Sequence, residues 1–139
     1  MKKKFLYVFV YIFLISCTNI KDKSSSPKIP ISAKNQTAIE FYKKAELKKL
    51  RGDIVSAISD YKTALRIEPS FLMAAINIPI SDKFLKTNYI KNATAVIENL
   101  TPSERLIFNI YNSDSIEKKR NFAEKLVELN PNSSEAKFI

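Results

Sequence analysis

Between residues 38 and 69 the chain alternates apolar and polar positions at the period of an α-helix. Ile54, Ala57, Ile58, Tyr61, Ala64 and Leu65 recur at steps of three and four, which places them on one stripe of a single helix. A second amphipathic stretch precedes it, with Ala45 facing inward. Gly52 separates the two, suited to the left-handed conformation that ends a helix, and Asp53 can cap the N–H groups that open the next. Small residues at 45, 57 and 64 let the two axes approach closely. Pro69 ends the second helix. The prediction is a tight helical hairpin whose first helix opens at Thr37, where Thr37 and Glu40 have capping-box spacing.

The pattern loosens further on but persists. An apolar residue stands two places before proline three times, at Ile67, Leu100 and Leu129, and the prolines 69, 102 and 131 are 33 and 29 residues apart. The later stripes are Ile90, Ala93, Ile97, Leu100 and then Phe122, Leu126, Leu129. Thr101-Pro102-Ser103-Glu104 is a helix start, with a capping hydroxyl, proline in the first turn and a Glu that reaches back. Residues 112–115 make a further inter-helix turn. Pro79 falls where the first helix of a second pair should run, and is expected to kink it. The expected fold is therefore all-α, about three helix pairs, with the second and third less regular.

The leading hairpin resembles a tetratricopeptide (TPR) repeat, a helix–turn–helix unit of about thirty-four residues. Ala45, Gly52, Ala57, Tyr61, Ala64 and Pro69 stand at that family's spacing, with Phe41 where a large aromatic is usual. Lys48 departs from the pattern, which prefers tyrosine there. The resemblance implies a short array of stacked hairpins over residues 37–139, in which each pair buries its face on a neighbour.

Residues 1–17, MKKKFLYVFVYIFLISC, form a separate object. Three lysines precede an unbroken apolar run from Phe5 to Ile15, the plan of a secretory signal. The run is short for crossing about 30 Å of hydrocarbon as a helix. Leu14-Ile15-Ser16-Cys17 resembles the bacterial lipobox, which implies removal of residues 1–16, diacylglyceryl transfer to the Cys17 thiol and acylation of the new amino terminus. Residues 17–36 then read as the lipidated cysteine and a flexible tether, rich in Ser and Lys, with Pro27 and Pro30 and no helical period. Such a tether reaches about 25 Å.

Composition narrows the chemistry. The 139 residues carry a formal charge of +9, but removing Lys2, Lys3 and Lys4 leaves 20 basic against 14 acidic side chains. The excess basicity thus belongs partly to the leader, and nucleic acid is not an expected partner of an exported chain. A single glycine argues against sandwiches, barrels and phosphate-binding loops, and a single cysteine precludes an internal disulfide. Histidine is absent, removing the commonest general base and metal ligand. No metal or cofactor is expected beyond the covalent lipid on Cys17. The acids sit singly at caps and polar faces, so catalytic residues are not assigned and an envelope hydrolase is the weakest functional class.

The TPR resemblance implies a binding scaffold in which the first helix of each pair lines a concave groove. By helical phase, Ile39, Tyr42, Glu46 and Lys49 face that groove on the first pair, with Met73, Asn77 and Lys83 on the second. Tyr42, Glu46, Lys49, Asn77 and Lys83 are the candidate partner-binding residues. Asn77 matches a position where the family often bonds a bound peptide backbone, and the two lysines suit an acidic partner. The expected role is a membrane-anchored, non-catalytic scaffold of the bacterial cell envelope, periplasmic or surface-exposed, that binds a protein or peptide. The competing role is an accessory subunit of an outer-membrane or pilus assembly complex. At the C-terminus, Phe122 and Leu126 would stay uncovered and favour self-association, unless Phe138 and Ile139 fold back over them. Lipidation gives the first prediction: Cys17→Ser abolishes incorporation of labelled palmitate and leaves the leader attached, read from the mass of the product.

Overall fold

A computed structural model describes residues 28–139. The leader, Cys17 and the first part of the expected tether lie outside the described residues. The described chain is all-α, with six helices: α1 (Gln36–Leu50), α2 (Ile54–Ile67), α3 (Leu72–Ile76), α4 (Lys83–Thr94), α5 (Pro102–Asn112) and α6 (Ile116–Leu129). Short 3-10 turns cover Ile80–Asp82, Ile97–Asn99 and Glu135–Lys137. No described helix is long and apolar enough to cross a membrane.

The first pair forms as its pattern dictates. Ala38, Ala45, Ala57 and Ala64 are buried along the α1–α2 seam, where the absence of longer side chains allows close approach. At the corner Gly52 takes φ +81, and the N–H groups of Gly52 and Asp53 return to the carbonyls of Lys49 and Lys48, each at 3.0 Å. An L side chain at that φ would cost about 1–2 kcal/mol through its own backbone. The Asp53 carboxylate accepts from Ser56 N–H. Lys48, the departure from the repeat pattern, reaches Asp60 on α2 at 2.7 Å.

The start of α1 differs from expectation. Asn35, not Thr37, is the cap: its Oδ1 accepts from the N–H groups of Thr37 and Ala38, at 3.0 and 3.2 Å. Nor does the tether continue to residue 36. Residues 28–35 are laid against the domain in non-helical backbone, with Ile29 buried and Ile31 and Ala33 packed on the core. Their N–H groups need acceptors once water is excluded, and three carboxylates from separate parts of the chain supply them. Ile29 donates to Glu135 at 3.4 Å and Ser32 to Glu104 at 3.1 Å. Lys34 and Asn35 donate to Glu68, the latter at 2.9 Å. Thr101 Oγ1 also donates to the Pro30 carbonyl at 3.0 Å.

Two further expectations are corrected. Pro79 does not kink a longer helix. The helix ends before it at Ile76, Pro79 adopts an extended conformation (ψ 155°), and the chain turns through Ile80–Asp82 into α4. The ring disfavours helical backbone in the residue before it, and Asn77 and Ile78 close the final turn on Ala74 and Ala75. The stripe from Ile90 to Leu100 is likewise split. α4 stops at Thr94, whose hydroxyl bonds the Ile90 carbonyl at 2.8 Å, a local bond that competes with helix continuation. Arg105 then ties the following turn to α5 through the carbonyls of Leu100 and Glu98, at 3.1 and 3.2 Å.

The third pair keeps its predicted start. Thr101 Oγ1 accepts from Glu104 N–H while Glu104 returns to Thr101 N–H. Asn130 joins the end of α6 to the start of α5 by donating to Ser103 Oγ at 2.9 Å and to the Leu126 carbonyl at 3.0 Å. Leu126 is fully buried, and Ala136 of the last 3-10 turn packs into the same core. Phe138 does not fold back as a lid; it is 90% exposed.

One core runs through all three pairs, with Tyr61, Leu65, Phe71, Leu72, Met73, Ile78, Ile107 and Leu126 buried. Each large apolar side chain there contributes about 1.5–3 kcal/mol by leaving water. The rings of Tyr42 and Phe71 meet at 4.9 Å and those of Tyr42 and Tyr61 at 5.9 Å. Glu104 is the only fully buried carboxylate of this core. Glu104→Ala would orphan two backbone N–H groups and is expected to cost about 3 kcal/mol in urea unfolding. Glu104→Gln, which keeps an acceptor, should cost less, and faster amide exchange at Ser32 identifies the lost contact.

Candidate functional site

The helical phase of α1 brings Tyr42, Glu46 and Lys49 to one face, and the end of α3 delivers Asn77 beside them. Tyr61 OH, from α2, donates to Glu46 Oε1. Lys49 Nζ donates to the same oxygen at 3.1 Å and to Asn77 Oδ1 at 3.0 Å. The other half of the Asn77 amide donates to the Met73 carbonyl at 2.8 Å, satisfying the end of α3. The expected trio of Glu46, Lys49 and Asn77 is thus one hydrogen-bonded network across two helix pairs. Lys83 is exposed at the first position of α4 and does not join it. Tyr42 and Met73 are core residues, 7% and 1% exposed. A partner would have to open the core to touch them.

Three members of the site are absent from the helical-phase reading. Tyr61 reads as core from its stripe, and its ring is core, but its hydroxyl emerges at Glu46. Glu135 arrives from the far C-terminus and Ile29 from the far N-terminus, held together by the hydrogen bond between them. The two-residue alternation of Ile29, Ile31 and Ala33 is the sole sequence trace of that packed segment.

The electrostatics follow from burial. Tyr42 is pushed far up from the ordinary phenol range by burial, and then by the negative charge of Glu46. Tyr61 is also pushed far up, by burial and then by donating to Glu46. Both phenols therefore stay neutral at physiological pH, and Tyr61 donates to Glu46. Glu135 is raised, first by burial and also by the charge of Glu46; the Ile29 N–H, Lys49 and Lys28 pull the other way. What the arrangement offers chemically is a fixed set of donors and acceptors on a mostly buried aromatic floor. The Lys49 ammonium, with three N–H donors, uses two of them on Glu46 and Asn77. Among the described residues no group of His, Cys, Asp and Glu side chains is arranged to hold a metal ion.

No protein-family model, curated protein or solved structure matches the chain.

A raised carboxyl pKa means the folded state binds its proton more readily than the unfolded chain. The associated stability is fully present below the unfolded carboxyl pKa and is lost as pH rises through the folded one. Wild type should therefore gain stability relative to Glu135→Gln as pH falls through the acid range just above the ordinary glutamate pKa. Urea midpoints of both proteins across that range measure it; parallel curves would remove Glu135 as the source.

Proposed function

We propose that this chain is a bacterial lipoprotein, anchored through Cys17, whose helical hairpins form a TPR-like, non-catalytic scaffold for a protein or peptide partner. One observation carries the binding half of this reading. The array already holds an extended segment, residues 28–35, across hairpins one and three through main-chain N–H groups, with Ile29, Ile31 and Ala33 turned inward at alternate positions. That is the mode by which a groove holds an extended peptide: backbone hydrogen bonds supply affinity and alternate side chains supply specificity. The neighbouring network of Glu46, Lys49 and Asn77 presents a partly exposed cation and a rigid amide beside it. The anchored half rests on the sequence of residues 1–17.

A second reading, an accessory subunit of an envelope assembly or secretion complex, draws support from Phe138, an aromatic left almost wholly in solvent at the C-terminal end. It shares the anchor and the scaffold and differs in the size of the partner.

A photo-reactive residue placed at Lys49 or Asn77, in the native envelope, is expected to capture one discrete partner. Placed at Lys62 of α2, which is ion-paired with Asp82 at 2.5 Å and takes no part in that network, it should capture none. Equal capture from Lys62, or none from any position, overturns the groove as the binding surface.

A further inference from the structure

The corners of the three pairs lie along one edge of the domain. Lys49, at the end of α1, bonds Asn77 at the end of α3. Lys86, in the first turns of α4, bonds the Ile76 carbonyl at 3.2 Å and stands 5.5 Å above the ring of Tyr111, at the end of α5. The three corners are thus neighbours in order, on the side opposite the start of α1.

Two locally unfavourable features coincide on this edge. The first is apolar exposure. Leu50 and Val55 at the first corner are 78% and 82% exposed, Phe84 at the second 79% and Ile116 at the third 78%. One such residue is ordinary on a protein surface; one or two protruding at every corner of a single edge is not. The second is positive charge at helix N-termini, where the helix dipole disfavours it. Lys83 opens α4, and Lys118 and Lys119 follow Glu117 in the first turn of α6. Arg51 is exposed at the first corner. Of the acids nearby, Asp53 caps α2 and Asp82 pairs with Lys62, leaving Asp114 and Glu117 against a larger number of cations.

We infer that this corner edge rests on an anionic lipid bilayer, inserting Leu50, Val55, Phe84 and Ile116 at the headgroup boundary while the flanking Lys and Arg side chains meet phosphate. Protruding apolar side chains interleaved with cations are the composition of interfacial membrane contact. A thin line of knobs spread over three corners fits a planar surface better than a concave protein pocket. The inference rests on the lipid-anchored reading, which brings the surface within range. Only residues 18–27 separate Cys17 from Lys28, and that length spans at most about 35 Å, against about 22 Å for the length of α1.

The test uses the processed, acylated chain reconstituted in vesicles containing phosphatidylglycerol, with an environment-sensitive fluorophore on Val55→Cys, Phe84→Cys or Ile116→Cys. Arg66→Cys, about 16 Å along α2 from Val55, is the control. Nitroxide-labelled lipid should quench all three corner positions at least twofold more than position 66, and the difference should shrink in purely zwitterionic vesicles. All four sites are exposed, so the fold is not at stake. Equal quenching at position 66, or quenching at one corner alone, overturns the inference. A chain that stays with the vesicles while no corner is quenched overturns it and leaves the anchor standing. A chain absent from the vesicles overturns the anchored reading together with this one. A blue shift of the corner labels without lipid, growing with protein concentration, would assign the edge to a second copy and overturn the lipid assignment.

Discussion

Close approach of α1 and α2 is the constraint from which the rest of the molecule follows. Four alanines, at 38, 45, 57 and 64, form the seam, and their small size brings the α2 phenol of Tyr61 within hydrogen-bonding reach of Glu46 on α1. Were the helices held apart by leucine-sized side chains, Tyr61 would lose that partner. The carboxylate of Glu46 would then hold Lys49 alone, and Lys49 could not be fixed at Asn77 on the next pair. A packing rule in the first hairpin thus sets the polar register between hairpins. The aromatic cluster of Tyr42, Tyr61 and Phe71 provides the floor beneath it.

Carboxylates do unusual work in this fold. Glu68, Glu104 and Glu135 all accept main-chain N–H groups from the segment at residues 28–35. An extended segment outside a sheet has donors with no built-in partners, and burying even one unpaired costs about 1–3 kcal/mol. Charged acceptors answer this better than neutral ones, because hydrogen bonds to an ionised group are roughly twice as strong. Glu104 serves twice, capping its own helix with one oxygen and holding Ser32 with the other. The price is a fully buried carboxyl group, each of whose oxygens is met by a main-chain donor.

The proposed binding face and the proposed membrane edge would divide the surface between two physical roles. On the face, polar groups are paired with one another and the large rings are buried, so recognition there would work through a preformed hydrogen-bonding pattern. On the edge, apolar side chains stand in solvent and lysines stand in the first turns of α4 and α6, arrangements that cost stability in isolation and that a second phase would offset. An acyl anchor and such an edge would act together, since one fixes distance and the other orientation.

Much of this architecture was legible in the residue pattern. The three-and-four spacing of the apolar positions specified helices, Gly52 and Asp53 specified the first corner, and Thr101 to Glu104 specified the start of α5, because each of these is a local steric or hydrogen-bonding requirement met within a few residues. The candidate trio of Glu46, Lys49 and Asn77 was legible in part, helical phase and the match of Asn77 to the repeat pattern selecting its members together with Tyr42, Met73 and Lys83, which the fold keeps out of the network. Tertiary structure decided what depends on distant partners. The packing of residues 28–35, the burial of Tyr42 and Met73, and the arrival of Glu135 beside Ile29 join parts of the chain up to 106 residues apart, and no local rule encodes such contacts. Pro79 shows the boundary between the two. Its ring guaranteed an interruption, but only the surrounding core, closing over a five-residue α3, determined that the helix would end there and not bend.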